Sequence, residues 1–97
     1  MDDFVRWYSD AFAKELPFGK VIDVRFSELV KTVGDTAHSG VREDFVIEVL
    51  GQHIPFSREY LMLEKNDKVL FLTYQSEDSE YEKGQDSLNL LLKSVQF

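Results

Sequence analysis

Residues 56–75 carry the pattern that most constrains this chain. Two apolar runs, Phe56 to Glu64 and Val69 to Gln75, flank Asn66-Asp67. If Asn66-Asp67 is a two-residue turn, Leu63 faces Leu70 and Leu61 faces Leu72, while Met62 meets Phe71 and Tyr60 meets Thr73 on the other side. Both faces of this hairpin are apolar, and such a strand pair needs cover on both. A helix at each end of the chain would supply it. The alternative is that one face is buried against a partner or a second copy.

The rest of the sequence reads in the same terms. Phe4, Tyr8, Ala11, Phe12 and Leu16 form one stripe at helical spacing, with acidic residues at the start and Pro17 and Gly19 at the stop. Trp7 lies just off that stripe. Its usual burial places it in the core, and the enrichment of aromatics at interfaces makes it a contact candidate instead. Lys20 to Phe26 alternates as a half-buried strand. Ser27 to Val33 either extends that strand past a bulge or is irregular. Residues 34–40, GDTAHSG, read as a loop by composition. Val41 to Leu50 alternates again, with Val41, Glu43, Phe45, Ile47 and Val49 on one face. Gly51 to Pro55 reads as a connection.

Ser79 and Glu82 match a capping box ahead of Tyr81, Leu88, Leu91, Leu92 and Val95 at helical spacing. Gly84 would cost about 1 kcal/mol inside that helix, so a shorter helix starting near Asp86 is the alternative. The expected fold is a single α+β domain over residues 1–97: an antiparallel meander of about four strands between two terminal helices, with an α/β/α sandwich as its layered form.

Composition narrows the function. Eleven Lys and Arg against eighteen Asp and Glu give a net charge of −7, which disfavours nucleic acid and anionic membranes. No apolar run reaches the length of a membrane span. There is no cysteine, which removes disulfides, thiol catalysis and Cys-based zinc, and leaves the compartment open. His38 and His53 lack metal-ligand spacing, and no metal or other cofactor is expected. The nucleophile elbow, P-loop and dinucleotide glycine pattern are all absent. Residues 77–82 hold four carboxylates. The dipole of a helix N-terminus accounts for them, with divalent-cation binding as the competing reading. Asp44 and Glu48 read as members of a solvated strand face. Ile54 and Phe56, with His53 at an expected loop, either cap the core or form a recognition surface.

Residues 70–74, LFLTY, and 94–97, SVQF, together with the apolar strand before them, resemble the close of the PsbP/Mog1/DcrB-like superfamily. There an apolar strand, a short turn and a strand carrying Leu-Thr lead to a helix and a terminal Ser-aromatic strand. The resemblance implies an α/β/α sandwich around an antiparallel sheet. It also implies a non-enzymatic interaction module, since the superfamily includes extrinsic photosystem subunits, a Ran-binding import factor, envelope lipoproteins and chaperones of secreted effectors. The superfamily places strands ahead of the first helix. Their lack here implies a reduced or excised version with an open sheet edge.

The expected function is therefore a non-catalytic protein-interaction domain, binding a protein partner or itself, with Trp7, His53, Ile54, Phe56 and Arg58 as binding candidates. The alternative is a cystatin-like or NTF2-like pocket domain, for small-ligand binding or catalysis, with Tyr60, Tyr74, Arg58 and His53 as its polar lining.

Overall fold

The computed structural model describes residues 2–95. Helix α1 (Asp2–Glu15) leads into strands β1 (Lys20–Val33), β2 (Thr36–Val49), β3 (Gln52–Lys65) and β4 (Lys68–Glu77), and helix α2 (Asp78–Lys93) closes the chain. The strands form one antiparallel sheet in the order β1-β2-β3-β4. This is the expected α+β meander.

All three hairpins turn on two residues. Asn66 and Asp67 both have positive φ (50° and 64°), the geometry of a type I′ turn, so Leu63 pairs with Leu70 and Leu61 with Leu72. Gly34, with φ at 63°, opens the first turn. The supposed loop at 34–40 is therefore only Gly34-Asp35, and Thr36 to Gly40 are strand. Composition misled because these polar residues lie mostly on exposed parts of β2.

The second turn, Leu50-Gly51, holds both residues at positive φ, with Leu50 99% exposed. The expected connection at 51–55 is accordingly strand from Gln52 onward. A leucine in left-handed backbone is strained, and its side chain gains nothing from burial here. Leu50→Asn is expected to raise unfolding free energy by about 0.5–1 kcal/mol, read as a higher thermal midpoint.

Strand β1 continues through 27–33, and its bulge falls earlier, between Ile22 and Arg25, with Asp23 at φ 55°. Strand parity places the helices on opposite faces. α1 packs Phe4 and Tyr8 on Phe71, Tyr8 on Tyr60 and Phe12 on Phe45. α2 packs Leu92 with Val33, Leu61 and Leu63, backed by Leu70, Leu72, Leu88 and Val95. Both apolar hairpin faces thus receive the cover they require.

α2 differs from expectation at its start. It begins at Asp78 behind Glu77, which makes no side-chain cap, so the Ser79–Glu82 box is not used. Asp78 instead stands 2.7 Å from Ser57 Oγ, within hydrogen-bond reach, which ties the helix start to β3. Nor does the helix wait until Asp86. Gly84 lies inside it because a Cβ there would meet the Tyr74 hydroxyl at 1.9 Å. The glycine lets α2 approach β4 closely. Of the expected terminal strand, Ser94 is the helix cap and Val95 is irregular, while Gln96 and Phe97 lie outside the described residues.

Candidate functional site

The most buried stretch of β3 is polar. Ser57, Arg58, Glu59 and Tyr60 are all between 0% and 3% exposed. Alternation sends Arg58 and Tyr60 under α1 and Ser57 and Glu59 under α2.

Under α1, Arg58 Nη1 donates to Glu43 Oε1 at 3.0 Å, and Arg58 Nε donates to Gln75 Oε1 at 2.8 Å. Tyr60 and Ser9 also donate to Glu43, the latter at 2.6 Å from the first helix. The guanidinium lies 4.1 Å from the Phe12 ring centroid and 4.7 Å from that of Phe45, with Tyr8 and Tyr60 slightly farther. Such a weakly hydrated, delocalised cation suits an aromatic cage. Its Nη2 has no hydrogen-bond partner among the described residues. Burial, then the bond to Glu43, pushes the Tyr60 phenol above its ordinary value, so it remains a donor at neutral pH.

Under α2, the buried Lys31 Nζ sits 3.3 Å from Glu59 Oε1 and donates to Gln85 and Asn89 of the helix. Glu59 Oε2 accepts from Tyr81 and from Gln85. Burial, then this bond, raises the Tyr81 phenol too. Nearby, Ser57 Oγ lies 2.7 Å from both Asp44 and Asp78, which share its one hydroxyl proton, and the Arg42 guanidinium lies 4.3 Å from the Tyr81 ring centroid. Asp44, expected on a solvated face, is thus half-buried and bonded.

These networks answer most of their own hydrogen-bonding demand. The binding candidates do not converge. Arg58 is 1% exposed and sealed. Phe56 stacks on Phe45 at 5.6 Å, and Ile54 is half-buried opposite Ile47. His53 is exposed and meets Glu48 at 3.0 Å. Trp7 is 63% exposed, which overturns its placement in the core. It packs edge-on against Phe4, which in turn touches Phe71. Phe71 pairs with Met62, nine residues along β3 from His53, or about 30 Å. The four residues proposed to line a pocket also part company: Arg58 and Tyr60 face α1, while Tyr74 touches α2.

Several surface clefts flank the helices. One, of about 280 Å³, lies between α1 and β1 beside Arg6 and Phe26. Another, of about 190 Å³, is lined by Leu72 and Tyr74 of β4 and by Leu88 and Leu91 of α2. Among the described residues no group of three or more His, Asp or Glu is placed to hold a metal, and no helix is long and apolar enough to cross a membrane.

The pairing of Glu43 with Arg58 had a sequence signal. A turn at Leu50-Gly51 sets residues summing to 101 opposite one another, and 43 and 58 do so. The pair Lys31–Glu59 had none, because β2 separates their strands and α2 completes their bonding. Compared with models of protein families, with curated proteins and with solved structures, the chain matches none.

Proposed function

We propose that this chain is a non-catalytic protein-interaction domain, accessory, chaperone-like or assembly in role. The observation that carries this reading is Trp7, 63% exposed on α1 and braced by Phe4. A large aromatic held by its neighbours loses little entropy on contact and supplies much buried area. Phe4 and Val69, at 41% and 61% exposure, widen the patch along the same face. The groups suited to acid–base work, Glu43 and Tyr60, are meanwhile bonded to each other and to Arg58 beneath α1. The resemblance to the PsbP/Mog1/DcrB-like superfamily supports the same reading.

The test compares immobilised wild type with Trp7→Ala in extract of the source cells. A partner held by the wild type is expected to fall about tenfold or more with the variant, at unchanged melting temperature. Equal capture by both, or none by the wild type, overturns the reading.

A further inference from the structure

The sheet has two outer edges, and they differ in kind. β1 is blunted in the usual ways: a bulge between Ile22 and Arg25, a left-handed Asp23, and charges at Asp23, Arg25 and Glu28. β4 has neither bulge nor left-handed residue over its pairs with β3, which run unbroken from Lys68 to Glu77, and its charges stand only at the two ends. A regular, unblunted edge is a template for another strand.

Apolar groups hang beside that edge on both faces. On one side Phe4 stands next to Phe71 and carries Trp7 against its outer side. On the other Leu91, 62% exposed, lines the cleft with Leu72 and Tyr74. An added strand would send its side chains alternately onto these two patches, so it must be apolar on both faces. β4 has that pattern itself, with Val69 and Phe71 on one face and Leu70, Leu72 and Tyr74 on the other.

Its charges choose the direction. β4 starts at Lys68 and ends at Glu77, followed by Asp78 and Glu80. Antiparallel pairing of two copies sets the basic start of each beside the acidic end of the other. Parallel pairing sets like against like. We infer that β4 pairs antiparallel with β4 of a second copy across a two-fold axis near Leu72 and Thr73, forming one continuous eight-stranded sheet. This rests on the interaction reading and commits it to self-association.

Light scattering across a concentration series tests it, with Lys68→Glu, Glu77→Lys and the double variant. Both side chains are exposed, so the fold tolerates the changes. The wild type is expected at twice 11.3 kDa. Each single variant should weaken the dimer about tenfold, and the double variant should restore it. The β4 amides should lose hydrogen-exchange protection on dilution. A monomer at every concentration overturns self-pairing, and so does a dimer indifferent to the single variants. A monomer that still captures a Trp7-dependent partner leaves the interaction reading standing and removes only the self-pairing. A monomer that captures nothing removes both.

Discussion

Arg58→Ala is expected to lose about 3–5 kcal/mol of unfolding free energy, enough to leave much of the chain unfolded at physiological temperature. The loss comes less from the missing contact than from what stays behind. Glu43, 1% exposed, would keep only Tyr60 and Ser9 as donors, and its charge would be uncompensated. The ring faces of Phe12 and Phe45 would border a void as well. Urea denaturation followed by far-ultraviolet circular dichroism measures the effect. The double variant Arg58→Met with Glu43→Leu removes both charges and fills the space, and it should recover most of the stability. A single variant within about 1 kcal/mol of wild type would mean that the buried pair is not what holds α1 to the sheet.

Lys31→Ala is expected to be nearly as damaging, at about 3 kcal/mol or more, and for the parallel reason on the other face. Lys31 and Glu59 have side chains 8% and 3% exposed. Without the ammonium, Glu59 retains two neutral donors, Tyr81 and Gln85, both on α2. Gln85 and Asn89 lose the cation that draws them toward the sheet. Hydrogen exchange should show α2 opening before the strands do, since the helix meets β1 partly through this lysine. Protection in α2 that matched wild type would assign its docking to Leu92 and its apolar neighbours alone.

The sequence revealed its architecture where local chemistry and long-range packing agree. Asn66-Asp67 suits a two-residue turn, and the two-sided apolarity that turn creates calls for cover on each face, which the two helices supply rather than a partner or second copy. Leu50-Gly51 offered only half a turn signal, because nothing marks a leucine for left-handed backbone. Residues 36–40 looked like loop because polarity was read as irregularity, whereas these residues are strand with little to cover it. Gly84 looked like a break in α2 because propensity counts the cost of glycine and cannot see Tyr74 approaching from another element. Trp7 was misplaced by the same route: average burial says nothing about which side of a helix meets the sheet.

The polar segment Ser57–Tyr60 has a consequence for how the molecule comes apart. Four successive residues on one strand serve partners on both sides of the sheet, so the two helical layers share a single backbone as anchor. Peeling away α1 strips the Ser9 donor and the Tyr8 and Phe12 ring faces from the Arg58–Glu43 pair. Peeling away α2 strips acceptors from Lys31 and donors from Glu59. Each departure admits water to a buried charge on the same short segment, Arg58 on one face and Glu59 on the other. Partial opening is therefore penalised from both directions, and unfolding becomes a concerted event for which the strand at the centre of the polar networks sets the threshold.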